Sequence, residues 1–294
     1  MSTVQEPVFA PGSEIERLLH DASRRPLLMG IVNCTPDSFH AGGRSMHVAA
    51  AVEHALRLVQ EGADLVDVGG ESTRPGAERV PAEEQIRRVV PVIRGIRATS
   101  AVPISVDTTL AAVAQAAIEA GAWLVNDVSA GLEDADLLPL AARLGAGVVL
   151  MHRLAPPPQD RYSDRHERPP AYTDVVAEVA GFLAGRVAAA THAGVPRARI
   201  VIDPGFGFGK DVGQNFDMLA RLPEFAMVGV PLLVGVSRKS FLGAAAGIAD
   251  PADRLPATLA AAAQAIDGGA ALLRVHDVAA HAQVRSVLRA ARGC

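Results

Sequence analysis

The chain has few aromatic side chains and no long apolar run, and both absences limit what it can be. Phe, Trp and Tyr make up 4% of the 294 residues while hydrophobic residues make up 49%, so the core must be built from Ala, Val, Leu and Ile. No apolar stretch approaches the ~20 residues that a membrane helix needs. Residues 1–20 lack a basic segment followed by an apolar one, so no secretory signal is predicted there.

Cysteine and net charge are also low. The two cysteines, Cys34 and Cys294, do not make a disulfide framework, and we expect a reduced, cytoplasmic setting. The net charge of −4 and the pI near 6.1 give no reason to expect nucleic acid or an anionic membrane as a partner. An anionic substrate must therefore be bound by a local cluster of positive groups.

Eight short apolar runs recur along the chain, separated by segments with helical spacing such as 49–61 and 82–97. The runs are unbroken rather than alternating, which is typical of parallel strands buried on both faces. Many helical segments are followed by a glycine, which can end a helix in a left-handed turn. The predicted strands are Leu27–Val32, Leu65–Val68, Val102–Val106, Trp123–Val125, Gly147–Met151, Ile200–Ile202, Pro231–Val236 and Ala271–Val275.

Strands that alternate with helices in this way predict an α/β fold, a single (β/α)8 TIM barrel with its active site at the C-terminal ends of the strands. A doubly wound open sheet is the alternative, but eight units without a break in composition favour closure. We expect residues 1–26 to form an N-terminal extension, with a short helix near Glu14–His20, and residues 27–294 to form the barrel. The proline-rich segment Arg153–Tyr172 is predicted to be a flexible flap over the active site.

Polar side chains follow nearly every predicted strand, whereas the strand starts carry small or aliphatic residues. Because active sites of this fold lie at the C-terminal strand ends, the asymmetry predicts an enzyme. Asp107, Asn126 and Asp203 offer carboxylate and amide groups suited to a flat heterocycle with several N–H donors and ring acceptors. Lys239 adds a cationic donor for a ring carbonyl or nitrogen.

Three positive groups on different loops are predicted to converge at the mouth of the barrel. Arg74, Arg274 and His276 are suited to holding a phosphate or pyrophosphate there. Asn33 and Asp37 supply oxygen ligands of the kind that Mg²⁺ accepts when substrate phosphates complete its coordination. These residues predict a phosphorylated substrate and a bound magnesium ion.

Other motifs favour less specific interpretations. The run GFGFGK does not have the spacing of a Walker phosphate loop, so we expect its glycines to let the backbone approach a ligand and Lys210 to be solvated. Ser237, His276 and Asp277 lack the GxSxG elbow that would support a hydrolase triad. Asp67 is as consistent with a buried structural carboxylate as with a catalytic one.

Seven segments, in order, resemble the motif set of the dihydropteroate synthases, and the match runs from about Leu27 to the C-terminus. The segments are MGIVNCTPDSF, DVGGESTRPGAERV, SVDT, NDVS, VIDPGFGFGKD, PLLVGVSRKSFLG and LLRVHDV. The resemblance implies a transferase that condenses p-aminobenzoate with 6-hydroxymethyl-7,8-dihydropterin pyrophosphate. The products are 7,8-dihydropteroate, used in folate biosynthesis, and pyrophosphate. The resemblance also implies a homodimer and inhibition by sulfonamides.

The resemblance assigns roles to individual residues as well. The residues expected to hold the pterin are Asp107, Asn126, Asp203 and Lys239, with Met151 as a pocket wall. Those expected to hold the pyrophosphate, together with Mg²⁺, are Asn33, Arg74, Arg274 and His276. Those expected to complete the p-aminobenzoate pocket are Phe39, Thr73, Pro75, Lys239 and Ser240. For catalysis we expect Asp107 and Asp203 to stabilise positive charge on the ring, Lys239 to assist them, and Arg274 to stabilise the leaving group.

Rival functions predict different residues. A pterin-binding methyltransferase, which uses a folate methyl donor and a corrinoid partner, needs no pyrophosphate site, so SRKSFLG and RVHDV argue against it. A non-catalytic pterin-binding paralogue would have lost some of the polar site residues, and all are present. A drug-insensitive synthase would differ in the first two loops, where GGESTRPGA keeps the family pattern. The first loop departs from it once: His40-Ala41 stands where an acid is usual, and we expect a looser loop with intact chemistry.

Overall fold

The computed structural model describes residues 11–22, 25–34 and 44–292. Within these ranges eight parallel strands form one sheet in the order β6-β5-β4-β3-β2-β1-β8-β7, with helices between successive strands. The strands are β1 Leu27–Asn33, β2 Leu65–Gly69, β3 Ile104–Asp107, β4 Leu124–Asp127, β5 Gly147–Met151, β6 Ile200–Asp203, β7 Leu233–Val234 and β8 Leu272–Val275. The helices are α1 Pro11–Ala22, α2 Arg44–Gln60, α3 Ala82–Thr99, α4 Ala111–Glu119, α5 Leu137–Leu144, α6 Val175–His192, α7 Val212–Ala220, α8 Ser240–Ala246, α9 Leu255–Asp267 and α10 Val278–Ala291.

The sheet closes on itself between β6 and β7. Ile202 forms an isolated parallel bridge with Leu232, and its amide donates to the carbonyl of Pro231 at 3.0 Å. The predicted (β/α)8 barrel is therefore confirmed and the open doubly wound sheet is excluded. Strand β7 is shorter than the apolar run that predicted it, because pairing at this seam is reduced to a single bridge.

Inside the barrel, an apolar layer lies below a polar one. Side chains two residues apart on a strand share a face, so the polar residues Asp67, Asn126, Asp203 and Arg274 lie directly above Leu65, Leu124, Val201 and Leu272. The apolar layer is one buried cluster, and every strand except β3 contributes at least one side chain to it. Its strand members are Leu27, Met29, Leu65, Leu124, Val149, Val201, Leu233 and Leu272.

Helix α1 covers the lower opening of the barrel. Its residues Ile15, Leu19 and Ala22 lie on one helical face and are buried in the same cluster as the apolar strand layer. Glu16 pairs with Arg199 at 2.8 Å, which attaches the helix to the turn before β6. The short helix predicted in this region is confirmed, and it closes the end of the barrel opposite to the polar layer.

Glycines end several helices as predicted. Gly62, Gly121, Gly145, Gly194 and Gly269 all adopt positive φ angles, between 70° and 114°, where a Cβ would be strained. Each turn directs the chain from a helix into the next strand. None of the helices in the described ranges is long and apolar enough to cross a membrane.

The segment Arg153–Tyr172, predicted to be a flexible flap, is attached to the barrel along its middle. The amide of Ser163 donates to Ser240 Oγ at 3.1 Å, and Asp160 Oδ1 accepts the amide of Gly209 at 3.1 Å. Two short 3-10 turns bring its polar groups to partners on the loop after β6 and at the start of α8, and its flexibility stays a prediction.

Candidate active site

A hydrogen-bonded network of charged side chains lies at the centre of the polar layer. Arg274 Nε donates to Asp67 Oδ2 at 2.7 Å, and Arg274 Nη2 donates to Asp107 Oδ2 at 2.8 Å. Asn126 Nδ2 donates to the same Asp67 oxygen at 3.0 Å. Asp67 is fully buried, and its other oxygen has no partner among the described residues. Asp67 therefore orients two of the predicted site residues, Arg274 and Asn126.

Burial makes the carboxyl groups of this layer easier to protonate than exposed ones. It raises the pKa of Asp107, and the guanidinium of Arg274 opposes this shift. Burial also raises the pKa of Asp203 to about 6, although the amide of Gly205, which donates to Asp203 at 2.7 Å, and the ammonium of Lys239 stabilise the carboxylate. Both groups can thus change charge close to neutral pH.

Two glycines leave open space between these side chains. A Cβ at Gly235, just after β7, would lie 3.9 Å from Asp203 Oδ2 and 3.9 Å from Arg274 Cβ. A Cβ at Gly69, at the end of β2, would lie 3.4 Å from Asp107 Cβ. The predicted residues on β3, β6 and β8 therefore face one central space.

Lys239 lies beside this space on the loop after β7. Its Nζ is 4.0 Å from the centre of the Phe208 ring, a cation–π contact. Burial lowers the pKa of Lys239 to about 8, and the nearby Asp203 carboxylate opposes the shift. Gly207 has a φ of 80°, and a Cβ there would lie only 3.0 Å from Lys239 Cδ, so a glycine is needed where the loop after β6 approaches the lysine.

An apolar surface accompanies the polar ring. Val128, Met151 and Phe208 form a small buried cluster of their own, separate from the two larger cores. Met151 was predicted to be a pocket wall, whereas Val128 and Phe208 were missed. Both belong to quoted motifs, NDVS and GFGFGK, but nothing in their local spacing indicates that they meet.

Lys210 differs from its prediction. Its Nζ donates to the carbonyl of Gly205 at 3.0 Å and to that of Phe208 at 2.9 Å, and it lies 3.0 Å from His152 Nδ1. The side chain is completely buried, and burial lowers its pKa to about 7. The prediction that Lys210 is solvated was wrong, because the glycine-rich loop folds its own carbonyl groups around the ammonium.

His276 is held in one orientation by Ser237. Ser237 Oγ accepts the amide of His276 at 3.3 Å and lies 2.9 Å from His276 Nδ1. Burial, together with the neighbouring Arg274, lowers the pKa of His276 to about 3, so the ring is neutral. Because the serine hydroxyl is free to donate to Nδ1, we assign the ring proton to Nε2. Asp277 pairs instead with Arg238 at 2.6 Å, which excludes the hydrolase triad.

The remaining predicted residues lie around the mouth. Arg74 is exposed, and its side chain makes no hydrogen bond or ion pair within the described part of the chain. Thr73 and Pro75 are half-buried on the same loop, while Ser240 begins α8 and accepts the hydrogen bond from Ser163. Asn33 ends β1 beside Gly69 and is half-buried. Asp37, Phe39 and the His40-Ala41 departure lie outside the described residues.

The closed barrel and the polar ring at its C-terminal strand ends define a (β/α)8-barrel enzyme. The family model described as pterin binding enzyme matches residues 29–276, which covers each strand from β2 onward and nearly all of β1.

Similar proteins narrow this class further. The dihydropteroate synthase of Synechocystis sp. is 42% identical over 280 residues, which cover 95% of this chain and 94% of the relative. A solved structure of Xanthomonas albilineans dihydropteroate synthase with 4-aminobenzoic acid is 48% identical with a TM-score of 0.84, covering 92% of this chain and 94% of that one. The Yersinia pestis dihydropteroate synthase in complex with a sulfonamide drug is 38% identical, with a TM-score of 0.84 and coverages of 92% and 96%. The chain therefore belongs to the dihydropteroate synthases of the pterin-binding enzyme family.

Proposed function

We propose that this enzyme condenses p-aminobenzoate with 6-hydroxymethyl-7,8-dihydropterin pyrophosphate, giving 7,8-dihydropteroate and pyrophosphate for folate biosynthesis. The observation that carries the proposal is the central space faced by Asp107, Asp203 and Arg274, with Asn126 and Lys239 beside it. A non-catalytic pterin-binding paralogue would have no need to keep this set complete. A methyltransferase would have no use for Arg74 and His276 at the mouth.

Pterin recognition follows from donors and acceptors at the bottom of the space. The Asp203 carboxylate and the Asp107 carboxylate accept N–H groups of the ring, and the Asn126 amide supplies one donor and one acceptor. Lys239 donates to a ring carbonyl or nitrogen. The apolar cluster of Met151, Val128 and Phe208 offers a flat ring a surface on which to pack.

The C–O bond to the pyrophosphate breaks first or early, because an arylamine is a weak nucleophile and needs a cationic carbon. The electron-rich dihydropterin delocalises the methylene cation, and Asp107 and Asp203 stabilise its positive charge. No covalent enzyme nucleophile is required. The amine nitrogen of p-aminobenzoate, held against the same carbon, then forms the C–N bond and releases one proton to water.

The leaving pyrophosphate is held at the mouth. Arg74 has no competing partner within the described ranges, and the neutral His276 donates through Nε2. Arg274 donates through Nε to Asp67 and through Nη2 to Asp107. Its Nη1 is therefore assigned to the pyrophosphate. Three donors, Arg74 on the loop after β2, Arg274 on β8 and His276 directly after β8, thereby surround one phosphate position.

Magnesium fits the residues at the end of β1. The Asn33 side chain has no hydrogen-bond partner within the described residues, and its amide oxygen is a suitable ligand. The described part of the chain contains no cluster of three or more His, Cys, Asp or Glu side chains that could hold a metal ion without the substrate. This agrees with an ion that takes its other ligands from the substrate phosphates, with Asp37 as the second protein ligand. Bound Mg²⁺ supplies positive charge to the departing pyrophosphate.

The p-aminobenzoate pocket is assigned to Phe39, Thr73 and Pro75 on the first two loops, with Lys239 and Ser240 at its side. Sulfonamides resemble p-aminobenzoate in shape and charge and are assigned to the same pocket. We also propose a homodimer in the cytoplasm, with residues 27–294 as the catalytic barrel and 1–26 as an extension.

One assay tests the function. The protein is mixed with Mg²⁺, the pterin pyrophosphate and p-aminobenzoate, and 7,8-dihydropteroate is measured by mass. Asp203→Asn protein serves as the control, with greatly reduced product expected. Absence of product with the unaltered protein, in a preparation that still binds a pterin analogue, would favour the non-catalytic paralogue. Methyl transfer from a folate donor to a corrinoid would favour the methyltransferase.

A further inference from the structure

Lysine is used very selectively in this chain. Of its 28 basic Lys and Arg residues, 26 are arginines and only Lys210 and Lys239 are lysines. Arginine thus serves every other cationic position, including the many surface ion pairs such as Arg221 with Glu224. Both lysines lie at the site described above. This distribution indicates that these two positions need an ammonium group rather than a guanidinium.

The surroundings of Lys210 supply the reason. An ammonium is compact and has three N–H donors around one nitrogen, and Lys210 Nζ has three acceptors: the carbonyls of Gly205 and Phe208 and the Nδ1 of His152. Burial lowers the pKa of His152 to about 3, so its ring is neutral and Nδ1 can accept. A planar guanidinium cannot direct its N–H groups to three acceptors around a single point.

These bonds tie together two loops that follow neighbouring strands. His152 comes directly after β5, and Gly205 and Phe208 lie in the loop after β6. The ring of His152 is itself packed edge-on against Phe182 of α6, with ring centres 4.9 Å apart. Lys210 therefore connects the glycine-rich loop to a fixed part of the barrel.

Other groups hold the same loop, and together they leave it little freedom. Asn215 Oδ1 accepts the amide of Gly207 at 2.7 Å, and the amide of Phe208 donates to the carbonyl of Gly205 at 3.1 Å. Neither of these bonds fixes the carbonyl of Phe208, which only Lys210 contacts among the described residues. Lys210 thus fixes the Phe208 backbone, from which the ring extends to pack with Val128 and Met151.

The Phe208 ring in turn lies against Lys239, whose Nζ is 4.0 Å from the ring centre. We propose that Lys210 is a positioning residue of the synthase: its three hydrogen bonds hold the Phe208 backbone so that the ring supports the Lys239 ammonium at the pterin pocket. Lys210, buried behind the loop, thereby positions Lys239, which faces the substrate. This inference rests on the proposed function for the role of Lys239, but the contacts themselves can be measured without turnover.

The scarcity of lysine permits a direct spectroscopic test. Protein labelled with ¹³C at lysine Cε and ¹⁵N at Nζ gives signals from only two side chains. The protons near Lys239 Nζ should be shifted upfield by the ring current of Phe208, and Phe208→Leu protein gives the value without a ring. In Lys210→Met protein, which retains a side chain of similar length, the single remaining lysine signal should move towards the Phe208→Leu value.

Kinetics provide the second measurement. Lys210→Met should raise the KM for the pterin pyrophosphate about tenfold or more, equivalent to about 1.4 kcal/mol, with less than about a twofold change in the KM for p-aminobenzoate. A general loss of folded protein would lower kcat per total enzyme and leave both KM values unchanged. The matched control is Arg285→Met, which removes another cation bound to backbone carbonyls, those of Pro26 and Gly62, at the opposite end of the barrel. It should leave both KM values unchanged.

A wild-type measurement covers the case in which Lys210→Met does not fold. At about pH 6 the three bonded N–H groups of Lys210 should exchange slowly with water, so that one ¹⁵Nζ ammonium signal is observed without any variant. Fast exchange of both lysine ammonium groups would overturn the proposal. An unchanged Lys239 shift with an unchanged pterin KM in folded Lys210→Met would also overturn it. The protein could also show slow N–H exchange at Lys210 and a ring-shifted Lys239 signal but make no dihydropteroate. That result would refute the proposed function and leave the positioning contact intact.

Discussion

Replacing Arg274 by methionine should destabilise the fold strongly, because the guanidinium lies between two buried carboxylates. Arg274 contacts Asp67 at 2.7 Å and Asp107 at 2.8 Å, and Asp67 is completely buried with one oxygen that has no partner in the described part of the chain. Removing one partner of such a network leaves uncompensated buried charge, which costs about 3–5 kcal/mol. Methionine fills much of the volume, so the loss measured would be mainly electrostatic.

The assay is urea unfolding of wild-type and Arg274→Met protein, with the free energy of unfolding compared at similar slopes. Arg221→Met is the matched control, since Arg221 also contacts several acidic side chains, Asp174, Asp217 and Glu224, but lies on the surface. Water screens those contacts, so the control should lose much less stability. The double variant Asp67→Asn with Arg274→Met removes one of the stranded charges and should recover a large part of the loss.

The pH dependence of this loss has a definite sign. The pKa of Asp107 in the folded protein is raised by burial above its unfolded value, and removing Arg274 raises it further. A carboxyl group shifted in this direction favours the folded state at low pH, and that stability is lost as the pH rises through the folded pKa. The difference between wild-type and Arg274→Met should therefore shrink as the pH falls from about 8 to about 5. A loss no larger than that of Arg221→Met, or one that does not change with pH, would refute the reasoning.

Ligand experiments test the rest of the site. Asp203→Asn and Lys239→Ala should each weaken binding of a pterin analogue by about 1–3 kcal/mol, measured by calorimetry, and unchanged affinity in both would remove them from the pocket. Because the pKa of Asp203 is about 6, wild-type affinity should decline as the pH falls below that value, and Asp203→Asn should show no such decline. Turnover should require Mg²⁺; full activity in excess EDTA, with no metal retained, would contradict this. Sulfonamides should compete with p-aminobenzoate at the pocket of Phe39, Thr73 and Pro75, and competition only against the pterin substrate would contradict that assignment.

The fold was predictable because its signals are local. Unbroken apolar runs such as Gly147–Met151 indicate strands buried on both faces, and glycines such as Gly145 mark the turns between helix and strand. The strand ends then locate the site, because side chains two residues apart share a face: Leu65 and Asp67 lie in successive layers of the same interior. Knowing the class of fold therefore identified most of the polar ring before any contact was known.

Pairings across the barrel were not predictable from the sequence. Arg274 and Asp67 are 207 residues apart, and no spacing rule connects them, so Arg274 was expected simply to face an anion. Lys210 was expected in solvent because lysine is seldom fully buried, and its acceptors arise only when the glycine-rich loop closes around it. The composition of Arg153–Tyr172 is that of a flexible loop and gives no sign of its partners, Gly209 on the loop after β6 and Ser240 at the start of α8. In each case at least one partner is far away in the sequence, and local sequence patterns do not indicate such contacts.

The placement of the two lysines has a consequence for proteolysis. A protease that cleaves only after lysine has two sites in this chain, and both lie on loops at the C-terminal ends of the strands. Lys210 is inaccessible in the native state and Lys239 only partly accessible, so cleavage requires local or global opening of the loops after β6 and β7. When that opening is fast compared with cutting, the cleavage rate reports its equilibrium population. Cleavage after Lys210 and after Lys239 would therefore measure opening of the two loops. A bound pterin should slow cleavage at both positions, because it stabilises the closed state.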